Sequence, residues 1–214
     1  MKNVITVEEM ILESLKEMVE LPYIGSIGLN TNQSKFVFPA MNGNGLPRRR
    51  VSEQEARILF IKQFEKYGDG FYSIEAPTFA KYTFSAQAKG ARSGNVDVCV
   101  YGTDSKRKHL IEFKALNPGQ QCFNKDFDKL VNDAEGFTNY FVHVIINSNK
   151  RTLPSIKKKY DNAYKYAIQK KYDSHSHLII FLCDMGKRMI KKYDLNVNST
   201  TDIIVPYSSS HGPV

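Results

Sequence analysis

The sequence predicts an α/β protein in which a mixed central β-sheet carries helices on both faces. Helical and strand patterns alternate in the order α-β-β-β-α-β-α-β along 214 residues, a length that suits one domain. The last two strand patterns, FVHVIIN and HLIIFLCD, are continuous apolar runs, which are typical of strands buried on both faces. Two earlier strand patterns are joined by a short polar turn, which indicates an antiparallel hairpin.

Residues 1–50 are predicted to form an N-terminal helix followed by a loop-rich extension. The helix begins at Thr6, which stands at capping-box spacing from Glu9. Apolar residues then recur at helical spacing to Leu21, and Pro22 ends the pattern. Several Gly, Asn and Pro residues follow with one short apolar run, so the rest of this segment is expected to be irregular.

A core domain is predicted over residues 51–205, and it begins with the helix SEQEARILFIKQFEKY. Ser52 and Glu55 again have capping-box spacing. With successive residues placed about 100° apart, Glu53 lies within the apolar face beside Phe60, and Glu55 lies at the edge of that face. An acid that faces the core is unusual, although helix N-termini favour acidic residues.

The other elements of the core domain follow from strand and helix periodicity. In chain order they are the strand FYSIEA, the strands NVDVCVYG and KHLIEFKA with a turn at 103–107, a helix from Phe123 to Asn139, the strand FVHVIIN, a lysine-covered helix from Ser155 to Tyr172, and the strand HLIIFLCD. Residues 206–214 are expected to form a frayed tail.

The net charge of +8 is concentrated in one part of the chain. Residues 150–192 contain twelve Lys or Arg against three Asp, and a smaller basic cluster is Arg48-Arg49-Arg50. Clustered cations favour a polyanion, because binding to phosphates releases condensed counterions. Nucleic acid is the favoured partner, and a solvated helix face is the alternative. A membrane surface is less favoured, because no large apolar face accompanies the charge.

Cysteine usage and hydropathy predict a cytoplasmic protein. The three cysteines are an odd number without a C-x-x-C pair, which indicates neither a disulfide framework nor a zinc site. No apolar run approaches the roughly 20 residues that cross a bilayer. Glu8, Glu9 and Glu13 interrupt the N-terminal apolar stretch, so a secretory signal is not expected there.

The predicted hairpin brings three charged residues to one face of the sheet. Pairing across the turn places Asp97 opposite Glu112, and Tyr101 opposite Lys108. Because side chains alternate, Asp97, Glu112 and Lys114 share one face. The opposite face of the hairpin is apolar and consists of Val98, Val100, Ile111 and Phe113.

Two carboxylates in this position need a compensating cation. Directly opposed Cβ atoms in a sheet lie about 5 Å apart, where like charges are destabilising. Lys114 supplies part of the compensation, and a divalent cation would supply the rest; oxygen ligands suit Mg²⁺ or Mn²⁺. The alternative is an ordinary acid pair relieved by Lys114 alone. However, Asp97 and Glu112 interrupt apolar, β-branched runs in which a polar residue carries a burial cost.

The pattern Asp97…Glu112-Phe113-Lys114 resembles the PD-(D/E)xK motif of restriction endonuclease-like nucleases. Over residues 52–147 the order of elements is similar, more loosely, to Holliday-junction resolvases. One departure is Val96, which stands where the motif has proline. The resemblance implies a restriction endonuclease-like sheet and a divalent-metal site formed by the two acids, with the lysine serving hydrolysis.

The same resemblance implies the remaining site residues and the reaction. Glu53 would be the helix acid that completes the metal site, with Glu55 as its competitor, and the Phe113 carbonyl would be a further ligand. Lys114 would orient or help deprotonate the attacking water and offset negative charge in the transition state. The implied activity is Mg²⁺- or Mn²⁺-dependent endonucleolytic hydrolysis of DNA that leaves a 3′-hydroxyl and a 5′-phosphate.

Several alternatives stay open at this point. A non-catalytic nucleic-acid-binding module of the same fold, or a basic module that binds an acidic protein, would also explain the charge. DNA and RNA are not distinguished, nor are endonuclease and exonuclease action, nor a monomer and a homodimer. The residues expected to contact nucleic acid are Lys125, Lys157, Lys158, Lys159, Arg48, Arg49 and Arg50.

Overall fold

The computed structural model of the chain describes residues 4–22, 35–41, 48–82, 92–133, 137–169 and 175–206. Four helices lie in these ranges: α1 (Val7–Glu20), α2 (Glu53–Tyr67), α3 (Gln120–Asn132) and α4 (Thr152–Ile168). Nine strands accompany them: β1 (Ala40–Met41), β2 (Arg48–Arg49), β3 (Phe71–Tyr82), β4 (Arg92–Tyr101), β5 (Arg107–Ala115), β6 (Thr138–Ile145), β7 (His177–Asp184), β8 (Met189–Asp194) and β9 (Ser199–Ile204).

Seven of the strands form one mixed sheet in the order β3-β4-β5-β6-β7-β8-β9. The three central strands β5, β6 and β7 are parallel to one another, and the pairs on either side of them are antiparallel. The parallel strands are joined through α3 and α4, as parallel pairs require a crossover connection. The predicted mixed central sheet is therefore confirmed, and β1 and β2 form a separate two-stranded pair.

The two faces of the sheet carry separate cores. One core packs α1 and α2 on side chains such as Ile111 and Phe113, and we call it the apolar face. The other packs α3 and α4 on side chains such as Leu110 and Phe141, and we call it the polar face because buried charged residues lie there, as described below. This arrangement confirms helices on both sides of the sheet.

Both predicted capping boxes are present. The Thr6 hydroxyl accepts a hydrogen bond from the Glu9 N–H, and the Ser52 N–H donates to the Glu55 carboxylate at 2.9 Å. The two helices pack on each other, and Lys62 of α2 lies 2.5 Å from the carboxylate of Glu17 of α1. The N-terminal helix therefore shares the core of the α/β domain.

Several predicted boundaries were wrong. The third helix was predicted over 123–139 but covers 120–132, because Pro118-Gly119 precede its first turn and Thr138 already pairs with His177 in the sheet. The fourth helix begins at Thr152 rather than Ser155, since the Asn149 side chain accepts from the Thr152 N–H. Its predicted end, residues 170–172, lies outside the described residues, as do residues 207–214 of the predicted tail.

The sequence also did not predict the full extent of the sheet toward its two edges. The first sheet strand, β3, runs for 12 residues, beyond the predicted FYSIEA, and β8 and β9 were not predicted. Strand β8 carries two half-buried lysines and β9 two exposed threonines, so these strands lack the apolar runs of β6 and β7. No helix within the described ranges is long and apolar enough to cross a membrane.

Candidate active site

The β4–β5 hairpin has the register that the sequence predicts near the acids. Val98 pairs with Ile111 and Cys99 with Leu110, so the next pair along places Asp97 opposite Glu112. The register shifts toward the turn, where Tyr101 pairs with Arg107. The predicted pairing of Tyr101 with Lys108 was therefore wrong, because one extra residue is accommodated in a bulge.

Asp97 is held by the backbone of the neighbouring strand. Its Oδ2 accepts a hydrogen bond of 2.7 Å from the Phe113 N–H, and its Oδ1 lies 3.8 Å from a guanidinium nitrogen of Arg57 on α2. Burial raises the pKa of the Asp97 carboxyl, and the hydrogen bond from Phe113 and the charge of Lys129 offset only part of that rise. The site thus holds a carboxylate whose charge is incompletely compensated.

Glu112 is almost fully buried, with 4% of its side chain exposed. Its Oε1 contacts the ammonium of Lys129, which α3 contributes. Burial raises the pKa of Glu112 well above its ordinary value, although Lys129 opposes that rise. A buried acid of this kind needs a cation beside it, and here a lysine provides one.

Lys114 is held by a second residue of α3. Its Nζ lies 2.8 Å from Oδ2 of Asp126. Burial lowers the pKa of Lys114, but the Asp126 carboxylate outweighs that effect and leaves the pKa above its ordinary value. Lys114 is therefore an ammonium at neutral pH, and this favours charge stabilisation over the alternative role of a general base.

The two acids at the start of α2 have different surroundings. Glu55 caps the helix, since the Ser52 hydroxyl donates to its Oε2 at 2.6 Å. Glu53 is half-buried; burial raises its pKa, and the charges of Lys114 and Asp97 act on it in opposite directions. The structure thus places Glu53 among the charged residues of the hairpin and gives Glu55 a structural partner.

Three charged residues of the site were not identified from the sequence: Arg57, Asp126 and Lys129. Lys125, which was expected to contact nucleic acid, is exposed, whereas Lys129 on the same helix is buried. The available signal was an acid and a lysine at i, i+3 beside the apolar residues of the helix, where charged side chains are rarely buried without a partner. Which lysine reaches Glu112 depends on how α3 docks on the sheet.

Arg57 links Asp97 to the edge strand β3. One of its guanidinium nitrogens lies 2.8 Å from Oε1 of Glu75 and 3.8 Å from Asp97. Glu75 lies opposite Asp97, between the pairs Ile74–Val98 and Ala76–Val96, and has a φ of 53°. A left-handed residue other than glycine costs about 1–3 kcal/mol and is often found at functional sites.

The predicted metal ligands have suitable chemistry. Asp97, Glu112 and Glu53 provide carboxylate oxygens, which hard cations such as Mg²⁺ and Mn²⁺ prefer, and burial raises the pKa of each carboxyl despite the cations beside it. The Phe113 carbonyl was predicted as a further ligand; the N–H of the same residue donates a hydrogen bond to Asp97. Among the described residues, however, no group of three or more His, Cys, Asp or Glu is arranged to hold a metal ion. In this arrangement Lys129 is the cation at Glu112.

The basic residues expected to contact nucleic acid differ in their exposure to solvent. Lys158 and Lys125 are exposed. Lys157 pairs with Asp161, and Lys159 donates at 2.7 Å to Pro118 O in the loop that follows Lys114. Lys159 therefore has a structural role in positioning that loop as well as a charge.

The arginine cluster lies on and after β2. The guanidinium of Arg49 lies 5.2 Å from the centre of the Phe38 ring, and Arg50 is exposed while its N–H donates to Pro39 O. The side chain of Arg48 is outside the described part of the molecule. Arg50 is thus the described member of this cluster that is open to solvent.

A groove of about 790 Å³ lies elsewhere, between α1, α2 and the end of β9. It is lined by four acids of one helix, Glu9, Glu13, Glu17 and Glu20. Negative charge disfavours a polyanion there. The groove contains none of the hairpin residues, so it is separate from the candidate active site.

Comparisons of the chain with protein-family models, with curated proteins and with solved structures found no match.

Proposed function

We propose that the chain is a metal-dependent nuclease of the PD-(D/E)xK, restriction endonuclease-like class, acting on DNA. The observation that carries the proposal is the register of the hairpin, which sets Asp97 opposite Glu112 and leaves Lys114 on the same face. The burial of these side chains supports it, because buried charges destabilise a fold unless they are paired or bind a metal.

The residues have distinct roles in this proposal. Asp97 and Glu112, with Glu53 and the Phe113 carbonyl, would hold Mg²⁺ or Mn²⁺, which when bound polarises a phosphate and lowers the pKa of a coordinated water. Lys114, kept protonated by Asp126, offsets the negative charge that develops on the phosphate oxygens. The Phe113 N–H fixes the orientation of Asp97, and Arg57 adds positive charge beside it.

DNA is the proposed substrate because the two helices that cover the polar face carry exposed cations. Lys125 on α3 and Lys158 on α4 are exposed on the helices that cover the polar face. Such contacts neutralise phosphates and position the backbone without reading sequence. A homodimer would let two sites act on the two strands, and it forms part of the proposal as an arrangement to be tested.

A second candidate is a nucleic-acid-binding module of the same fold without catalysis. The observation that favours it is the contact between Lys129 and Glu112, which already compensates the acid that a metal would need. In that case the charged cluster would serve only as a structural network. The two candidates differ in whether hydrolysis occurs, so cleavage separates them.

The test is cleavage of supercoiled plasmid, linear duplex, branched and single-stranded DNA, and of RNA, with Mg²⁺, Mn²⁺ or EDTA. Wild type is compared with Asp97→Asn, Glu112→Gln and Lys114→Met. The matched control is Asp104→Asn, which changes an exposed carboxylate in the turn of the same hairpin. Metal-dependent cleavage that is lost in the three site variants and retained in the control supports the nuclease. Salt-sensitive DNA binding without any cleavage supports the binding module instead.

A further inference from the structure

Lys129 is surrounded by oxygen atoms in the interior of the protein. Its Nζ contacts Glu112 Oε1, lies 3.3 Å from Asp126 Oδ1 and donates a hydrogen bond of 2.8 Å to the Asn95 carbonyl oxygen. Only 6% of the lysine side chain is exposed. An ammonium has three N–H donors and no acceptor, so these three oxygens match its full donor capacity.

The oxygens around the ammonium are of the type that binds hard metal ions. Two are carboxylate oxygens from different elements, β5 and α3, and the third is a backbone carbonyl oxygen of β4. Carboxylates combined with a backbone carbonyl are typical ligands of Mg²⁺, Mn²⁺ and Ca²⁺. The charge of the surrounding groups is also suitable, since Glu112 and Asp126 together favour a cation of charge greater than one.

A further acceptor in the cluster is incompletely used. Asp126 is 8% exposed, and its buried Oδ2 lies 2.8 Å from Lys114 Nζ. The same atom has no hydrogen bond of standard geometry within the described residues. Buried acceptors normally have a hydrogen-bond partner. This carboxylate therefore retains capacity for a cation in addition to the contact with Lys114.

We propose that Glu112, Asp126 and the Asn95 carbonyl form a cation site in which the Lys129 ammonium replaces a divalent ion. The lysine thereby sets how many metal ions the active site binds, and a neutral side chain at position 129 opens this position to one more ion. The inference extends the proposed function, and it rests on that proposal only in treating Glu112 as a metal ligand. Lys129 is a positioning residue, because it acts through Glu112.

The experiment measures the number of Mn²⁺ ions bound per chain by electron paramagnetic resonance and equilibrium dialysis, without DNA. Wild type is compared with Lys129→Met, which keeps a long side chain and removes the charge. The control Lys165→Met makes the same change at an exposed position of α4. Thermal unfolding in EDTA and in millimolar Mn²⁺ is recorded for each protein, because an ion that binds the folded state raises its melting temperature.

We expect Lys129→Met to bind one Mn²⁺ more than wild type and to show a larger increase of the melting temperature with Mn²⁺, whereas Lys165→Met behaves as wild type. If the variant is unfolded in EDTA, folding upon addition of Mn²⁺ is the supporting result. An unchanged number of bound ions overturns the inference. It is also overturned if both Lys129→Met and Lys129→Gln stay unfolded in Mn²⁺.

These outcomes are independent of the cleavage test. If wild type cleaves DNA and Lys129→Met binds no additional Mn²⁺, the proposed function is supported and the inference is wrong. If wild type binds no Mn²⁺ and cleaves nothing, whereas Lys129→Met binds one ion, the proposed function is wrong and the inference is supported.

Discussion

The apolar and polar faces of the sheet bury different kinds of side chain. On the apolar face the helices contribute side chains such as Leu15 and Phe60. Their buried polar residues are bonded locally: the Ser14 hydroxyl donates to Ile11 O within α1, and Glu55 accepts from Ser52 at the start of α2. The helix α3 on the polar face contributes buried charged side chains, Asp126, Asp128 and Lys129. The strands contribute to this difference, because side chains alternate along them and Asp97, Glu112 and Lys114 lie on the face that α3 covers.

The two kinds of buried side chain contribute differently to the free energy of folding. Apolar burial contributes roughly 25 cal/mol for each Å² removed from water. A buried ion pair gains little by comparison, because desolvation offsets the attraction between its charges. We therefore attribute stability to the apolar cores of both faces, and we place the proposed function on the charged cluster of the polar face. Each prediction below separates stability from function.

The largest expected effect is on cleavage. Asp97→Asn is expected to reduce the rate at least about 1,000-fold, which is roughly 4 kcal/mol of transition-state stabilisation, because an amide binds a cation far more weakly than a carboxylate. Its melting temperature should be equal to or above that of wild type, since the change removes a buried charge opposite Glu112. Single-turnover cleavage and calorimetry measure the two quantities.

The matched change on the apolar face is Leu15→Ala. It should lower the free energy of unfolding by about 2–5 kcal/mol through the cavity that it creates. Cleavage at temperatures where this variant is folded should be unchanged. A loss of cleavage as large as that of Asp97→Asn would show that stability and function are not separated between the apolar cores and the charged cluster.

The next effect compares a buried with an exposed ion pair. Lys129→Met in EDTA should lower the free energy of unfolding by about 3–5 kcal/mol, because it leaves Glu112 buried without its cation. Lys62→Met, which breaks the exposed pair with Glu17, should cost less than about 1 kcal/mol. Urea titrations at neutral pH give both values. Equal costs would mean that Glu112 is solvated or protonated in the folded protein.

A third prediction concerns pH and the buried histidine of the polar face. Burial lowers the pKa of His143 to about 4, and its ring contacts the Tyr160 hydroxyl and the Leu116 carbonyl. The unfolded chain takes up a proton near pH 6.5 and the folded protein does so only near pH 4, so acidification through this window favours unfolding. The loss is on the order of 3 kcal/mol.

The acids of the site act in the opposite direction over part of this window. The raised pKa values of Asp97 and Glu112 mean that the folded protein binds their protons first, which stabilises it as the pH falls. The histidine term is therefore measured as the difference between wild type and His143→Gln in urea unfolding at pH 7 and pH 4.5. If the two proteins lose stability equally on acidification, His143 is not the group responsible.

The smallest expected effect concerns the loop after Lys114. Leu116 has a φ of 65°, which glycine adopts without a steric penalty, and its side chain is 51% exposed. Leu116→Gly should therefore raise the free energy of unfolding by up to about 1 kcal/mol. Ile58→Gly, at an exposed position of α2, should lower it by roughly 0.5 kcal/mol. Differential scanning calorimetry resolves the opposite signs; destabilisation by both variants would refute this explanation.

Local features and long-range contacts differ in how well the sequence predicts them. The hairpin register near Asp97 and Glu112 follows from the two-residue period of strands, and both capping boxes follow from local spacing; the structure confirms them. These features depend on neighbours in the chain or across one turn. The contacts of Lys129 and Arg57 depend on how helices dock on the sheet, which periodicity does not specify.

The same reasoning explains the missed strands. The residues of β8 and β9 alternate only weakly in hydropathy. These strands are recognisable from their pairing, β8 with β7 and β9 with β8. The end of α3 is likewise determined by the pairing of Thr138 with His177, a contact between residues far apart in sequence.

One measurement tests the nuclease proposal most directly: the time course of Mn²⁺-dependent cleavage of end-labelled duplex DNA by wild type, Asp97→Asn and Asp104→Asn, with the product ends identified. We expect 5′-phosphate and 3′-hydroxyl ends from wild type and from Asp104→Asn, no products in EDTA, and at least about a 1,000-fold slower reaction for Asp97→Asn. Cleavage that survives Asp97→Asn, or wild type that binds this DNA and never cleaves it, would contradict a catalytic role for the hairpin.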